Sequence, residues 1–185
     1  MTQYVALLRA VNVGGRFVKM DRLRRLLEQL GLARVETFIG SGNVIFESRS
    51  RDPKRLEARI SRHLKQALGY DVATFVRTRA EIADVARYRA FRDVPAGGGV
   101  FVGFFPAPLG RKAARAARAL NTNVERFRVR GRELYWCYRV RSMAMLTSLA
   151  RLERTLGLRG TFRTASTVRR LAARYPPIPP EAEAS

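Results

Sequence analysis

Ile39-Gly40-Ser41-Gly42-Asn43-Val44-Ile45-Phe46 reads as a strand, a sharp turn and a second strand. Glycine and asparagine at the turn tolerate the tight backbone that such a reversal requires. Working outward, residues 4–10 are apolar and β-compatible, which makes them a first strand. Residues 11–19 form a loop containing the adjacent glycines Gly14 and Gly15. Residues 20–30 place Leu23, Leu26, Leu27 and Leu30 at helical spacing, with Asp21 in the first turn and Gly31 at the end, so they read as a helix. Strands two and three follow at 35–40 and 43–47. Asp52-Pro53 supplies a cap and a helix start, and that helix runs to about residue 68 with Leu56, Ile60, Leu64 and Ala67 on one face. Residues 72–77 are the fourth strand. The order β-α-β-β-α-β over residues 1–78 is the ferredoxin-like arrangement.

The second half opens with a helix over 80–88 and a loop holding Pro95 and Gly97-Gly98-Gly99. Residues 100–105 are apolar enough to predict a central strand. A helix over 109–120 leads to a hairpin, 124–129 and 133–139, around Arg130-Gly131, and two helices follow at 142–156 and 164–173. This is β-α-β-β-α again, preceded by a helix and lacking a clear closing strand. The expected fold is α+β, two ferredoxin-like (βαββαβ-type) halves packed together. Residues 1–78 form one half and 79–175 the other, and 176–185 form a proline-rich, then acidic, flexible tail. Its Pro-x-x-Pro pattern could serve a proline-reading domain; a plain tail is the simpler reading.

The charge departs from that of an average globular protein. The 185 residues carry 36 Lys+Arg against 15 Asp+Glu, a formal +21. Only Lys19, Lys54, Lys65 and Lys112 are lysine, so 32 of the basic residues are arginine. A GC-rich coding bias would explain arginine in place of lysine, but not the excess over carboxylates. Such an excess attracts polyanions. Residues 1–78 hold 15 basic and 7 acidic residues (+8), and the remainder 21 and 8 (+13), so the second half is the more basic. The single Cys137 rules out an internal disulfide and fits a reducing compartment. The start, Met1-Thr2-Gln3-Tyr4, moves straight into a strand pattern, and no apolar run reaches the roughly 20 residues of a membrane span. The expectation is a cytoplasmic protein without membrane contact.

In a ferredoxin-like sheet of order 4-1-3-2, the end of strand one lies beside the start of strand three. One rim then gathers Arg9, Asn12, Gly14, Gly15 and Lys19 opposite Ser41, Gly42 and Asn43, near the start of the first helix. Convergent backbone N–H groups and a helix N-terminus favour phosphate or carboxylate. There is no Gly-x-x-x-x-Gly-Lys-Ser/Thr and no Gly-x-Gly-x-x-Gly. Two tight turns, with Ser41 and Asn43 bonding local backbone, would account for the same residues.

Leu8-Arg9-Ala10-Val11-Asn12-Val13-Gly14-Gly15 and Thr37-Phe38-Ile39-Gly40-Ser41-Gly42-Asn43-Val44-Ile45-Phe46, with the helix between them, resemble the domain-of-unknown-function family 1697. The resemblance covers nearly the whole chain and implies a cytoplasmic bacterial protein of two ferredoxin-like halves. It carries over Arg9, Asn12, Gly14, Gly15, Ser41, Gly42 and Asn43. Farther on, Ser142, Thr161, Arg163 and Thr167 match the family pattern. Met143 stands where the family has lysine, and Thr164 and Ala165 replace an Asn-Trp pair.

The remaining chemistry is sparse. One histidine and one cysteine, far apart in sequence, give no metal-ligand spacing. His63 reads as packed at the edge of a helix's apolar face and Cys137 as a buried structural thiol. No catalytic residue, cofactor or metal is assigned. Basic periodicity is richer. Arg55, Arg59 and Arg62 form one helical stripe, Arg111, Arg115 and Arg118 another, and Arg126, Arg128 and Arg130 share one face of a strand. Arginine forks suit phosphate oxygens, and a solvated basic surface would carry the same pattern. Strands one and three look like core on both faces rather than the aromatic platform of an RNA-recognition motif. The leading expectation is backbone-led, salt-sensitive binding of RNA or DNA. The alternative is binding of a small phosphate or carboxylate ligand, with or without catalysis, at the rim formed by Asn12–Gly15 and Ser41–Asn43.

Overall fold

The computed structural model describes residues 1–12, 15, 17–40, 42–139 and 144–177, with the backbone alone over 144–147. These residues form a mixed α/β protein with two four-stranded antiparallel sheets and six helices. Backbone contacts divide it into two units, residues 1–84 with the chain from Leu171 onward, and residues 85–170.

The first unit contains β1 (Thr2–Leu8), α1 (Met20–Glu28), β2 (Ala33–Phe38), β3 (Asn43–Ser48), α2 (Pro53–Leu68) and β4 (Thr74–Thr78). Its sheet runs β2-β3-β1-β4, the 4-1-3-2 order expected from the sequence. The cap on α2 forms as its sequence dictates: the Asp52 carboxylate accepts the Arg55 N–H at 3.1 Å, Pro53 follows, and left-handed Gly69 ends the helix. Leu23 and Leu27 from α1 and Leu56, Ile60 and Leu64 from α2 share one core with Tyr4, Ala6, Leu8, Val44 and Phe46. The alternate residues Val5, Leu7 and Ile45 are buried as well. Unbroken apolar strands of this kind have no solvated face, and strands one and three are core on both sides as their sequence predicts.

The second unit contains β5 (Gly99–Phe104), α4 (Arg111–Ala119), β6 (Glu125–Arg130), β7 (Glu133–Tyr138), α5 (Ala144–Leu156) and β8 (Thr161–Thr164). The helices α3 (Arg79–Arg87) and α6 (Ala165–Arg174) flank it in sequence. Its sheet runs β6-β7-β5-β8, with apolar β5 central as predicted. Phe105, Leu109, Ala117, Phe127, Leu134, Trp136 and Leu152 form the core on one side of this sheet.

β8 corrects the sequence reading, which found no closing strand. The strand has four residues, only Phe162 among them is strongly apolar, and α6 follows without a loop. Too little alternation survives in four residues to show a period of two. Gly103 makes room for it: a Cβ there would lie 2.5 Å from the Phe162 ring. The two halves now match strand for strand. β4 ends in Arg77-Thr78 and β8 in Arg163-Thr164. Arg77 pairs with Val5 on β1, and Arg163 with Val102 on β5. Both arginines are buried. Thr78 and Thr164 each turn the chain straight into a helix, their hydroxyls accepting the N–H groups of Glu81 and Thr167.

Candidate functional site

Where β1 ends and β3 begins, two loops meet. The Leu8 N–H donates to the Gly42 carbonyl at 2.7 Å. The Asn12 side chain straps the loops together. Its Nδ2 donates to the Gly40 carbonyl at 2.9 Å, and its Oδ1 accepts the Val18 N–H at 2.8 Å. Asn43 is buried and its Nδ2 donates to the Phe38 carbonyl at 3.0 Å. Gly42 has φ +73°, and a Cβ there would lie 3.2 Å from Leu8 Cβ. Ala10, Asn12 and Ile39 also hold positive φ, a conformation that asparagine tolerates and β-branched isoleucine rarely adopts. The end of α2 comes to the start of α1, where Arg22 donates to the Ala67 carbonyl at 3.1 Å. The Arg9 N–H donates to the Ala73 carbonyl at 2.8 Å, and Lys19 is exposed just before α1. Gly14 and Ser41 lie outside the described residues. The rim thus brings Asn12, Gly42 and Asn43 together, and the two asparagines direct their amides into the loops. Ligand contacts here would fall to backbone N–H groups, Arg9 and Lys19.

The α2 stripe belongs to the first unit and the α4 and β6 stripes to the second. Arg55, Arg59 and Arg62 are exposed on α2, and Arg59 donates to the Leu30 carbonyl. Arg111, Arg115 and Arg118 are exposed on α4, whose Ala113 and Ala117 join Phe127 and Val129 in the second core. Arg126, Arg128 and Arg130 alternate with Phe127 and Val129, so they lie on the opposite side of the sheet from α4. The α4 and β6 stripes therefore do not merge into one surface.

The β6 arginines stack on aromatic rings. Arg126 and Arg128 lie 5.2 and 5.9 Å from the Phe91 ring centroid, and Arg130 lies 4.5 Å from that of Tyr88. Tyr88 in turn approaches Tyr135 of β7 at 4.9 Å between centroids. A cavity of about 560 Å³ opens on this face. Val100, Val102, Tyr135 and Val168 give it apolar walls, residues 85–92 form one side, and exposed Arg87, Arg89, Arg92 and Arg169 also line it. Burial raises the Tyr135 phenol well above its ordinary pKa, with the Glu133 carboxylate adding to the shift. Residues 85–170 hold 19 of the basic residues and only 4 acidic ones, +15 of the total +21.

Sequence reading missed this cluster. Its signal was present in Arg87-Tyr88-Arg89-Ala90-Phe91-Arg92, where cations and rings interleave, the composition that single-stranded nucleic acids meet on stacking platforms.

The other sequence candidates have structural surroundings. Arg163 is buried. Its Nη1 donates to Thr161 Oγ1 at 2.9 Å and to the Phe162 carbonyl at 2.8 Å, and burial lowers its pKa to about 10. Thr161 is buried beside it; Ser142 and Met143 lie outside the described residues. Cys137 is buried, with Sγ 3.6 Å from Arg126 Nη2. His63 is half-buried on α2. Among the described residues, no group of three or more His, Cys, Asp or Glu could hold a metal ion, and no helix is long and apolar enough to cross a membrane.

The family model of DUF1697, described as "Protein of unknown function (DUF1697)", matches residues 1–135. The chain belongs to this family. The DUF1697 match includes both rim loops, residues 87–92 and β6, and ends before Ser142, Thr161 and Arg163. That is narrower than the nearly complete coverage expected from the sequence, and the part beyond it contains the departures at Met143, Thr164 and Ala165. Among solved structures, the DUF1697 chain is similar to the conserved bacterial protein SP0830 from Streptococcus pneumoniae, with a TM-score of 0.73 and 20% identity. The likeness covers 95% of this chain and 98% of that one, and at this identity it is a likeness of fold alone. No curated protein matches the chain.

Proposed function

We propose that this DUF1697 protein binds nucleic acid, RNA or DNA, through the arginine face of its second unit, as a binding protein rather than an enzyme. The observation that carries the reading is the set of β6 guanidinium groups over the Phe91 and Tyr88 rings. Stacking on a ring restrains a guanidinium plane, so less freedom is lost when its N–H edge meets a phosphate. The +15 charge of residues 85–170 supplies the long-range attraction. The bond pattern at the rim favours the loop-shaping role of Asn12 and Asn43, so the arginine face leads.

The same reading takes each four-stranded half as a ferredoxin-like unit, supported by the strand order common to both sheets. It takes the protein as cytoplasmic, supported by a single, buried thiol.

Titration with single- and double-stranded RNA and DNA at two salt concentrations tests the proposal. Affinity should fall steeply with salt and depend little on sequence. Absence of binding at low salt would remove it.

A further inference from the structure

We infer that the cavity beside β6 receives one unstacked base of a single-stranded nucleic acid, while Arg126, Arg128 and Arg130 hold the adjoining phosphates. The inference rests on the nucleic-acid-binding reading and narrows it to single strands.

The cavity, about 560 Å³, lies within the roughly 300–1,000 Å³ of small-ligand pockets. Its walls combine what a base and its phosphate need. Val100, Val102 and Val168 offer an apolar lining to a planar group, and Tyr88 and Phe91 add aromatic lining. No carboxylate lines it; the nearby Glu133, which acts on Tyr135, sits opposite Arg130 in the β6–β7 pair. A base in a duplex is stacked and paired, and cannot enter without being extruded at a cost of a few kcal/mol. A single strand has already met that cost.

The β6 arginines continue the site along the backbone. Same-face residues of a strand recur about every 6.6–6.8 Å, a spacing comparable to one nucleotide of an extended single strand. Arg126, Arg128 and Arg130 therefore present cations at intervals suited to consecutive phosphates. The rings beneath them belong to the cavity-lining segment 85–92, so phosphate track and base pocket are one surface. Recognition by ring faces is tolerant of base identity, and the site should discriminate strandedness more than sequence.

Fluorescence anisotropy with the full chain at low salt tests this, using a labelled oligonucleotide, the same backbone carrying abasic residues, and the corresponding duplex. The base-bearing strand should bind about tenfold or more tighter than the abasic strand, and tighter than the duplex. Phe91→Ala removes a ring, and Val100→Trp fills the pocket. Each, once circular dichroism shows it folded, should bring the base-bearing strand to that variant's own abasic affinity. Val100→Trp should leave abasic binding nearly unchanged, whereas Phe91→Ala, which also removes the ring under Arg126 and Arg128, should weaken it. Equal affinity of wild-type protein for base-bearing and abasic strands overturns the inference, as does an intact preference in both folded variants. A duplex that binds as tightly as the single strand also overturns it. The nucleic-acid reading fails separately, if none of the three probes binds at low salt.

Discussion

The guanidinium of Arg130 sits 4.5 Å from the centroid of the Tyr88 ring, which itself lies 4.9 Å from that of Tyr135. This stack joins the edge strand β6 to the segment after α3 and to the neighbouring strand β7. Tyr88→Leu keeps apolar volume but loses both ring contacts, at an expected cost of about 1–2 kcal/mol. Tyr88→Phe should be close to neutral. Chemical denaturation of both variants measures the difference, and equal destabilisation by Leu and Phe would show that the ring contacts are not what matters.

The stripes on α4 and β6 face away from each other across the second sheet, so they should contribute unequally to polyanion binding. Replacing Arg126, Arg128 and Arg130 together by glutamine should lower the slope of log affinity against log salt by about 2–3, roughly 0.7–0.9 per phosphate contact. The matching triple replacement of Arg111, Arg115 and Arg118 should change the slope by less than one contact. Equal effects from the two triples would mean diffuse attraction by net charge rather than a face.

Asn12 uses both ends of its amide to hold two loops, at φ +58°. Asn12→Ala removes both hydrogen bonds and puts an ill-suited residue into left-handed backbone. The expected loss is about 2 kcal/mol. Because Oδ1 accepts the Val18 N–H, hydrogen exchange at Val18 should accelerate well beyond the global change. A uniform loss of protection across the first unit would instead mean that Asn12 supports the whole unit rather than the loops.

The parts of this fold legible in the sequence are those with long periods or chemical punctuation. The Asp52-Pro53 start, the Gly69 stop and the leucine stripe of α1 each carry their own local signal. The meeting of the Leu8 and Gly42 loops followed from strand order alone, because sheet topology fixes which strand ends are neighbours. β8 carried no such signal: four residues around one phenylalanine acquire their strand identity from pairing with β5 and from the space left at Gly103. The comparison that would have found it is between Thr74-Phe75-Val76-Arg77-Thr78 and Thr161-Phe162-Arg163-Thr164. The charge stripes were legible as patterns, but which stripe borders a cavity depends on where residues 87–92 fold, and that is a tertiary fact.

Stability should fall as pH rises above about 10, and Tyr135 should account for part of the fall. Its ordinary pKa is 10.0, and burial, reinforced by Glu133, raises it in the folded protein. Above pH 10 the unfolded chain releases this proton while the folded chain keeps it, so the unfolded state binds fewer protons and stability decreases with pH. The contribution is complete below about pH 10 and is lost as pH climbs toward the folded value. Tyr4 and Tyr175, also raised by burial, act in the same direction. Arg163 opposes them: lowered by burial to about 10, it sheds its proton first in the folded state, so its contribution to stability rises as pH passes that value. Near pH 10 Arg163 is about half titrated in the folded chain and each tyrosine about half titrated in the unfolded one, so the arginine offsets one tyrosine and the other two leave a net decline. Urea denaturation from about pH 9 to about pH 11 should show the decline, and Tyr135→Phe should make it shallower. An unchanged pH slope in that variant would mean that the phenol ionises alike in both states and that its burial does not govern its proton.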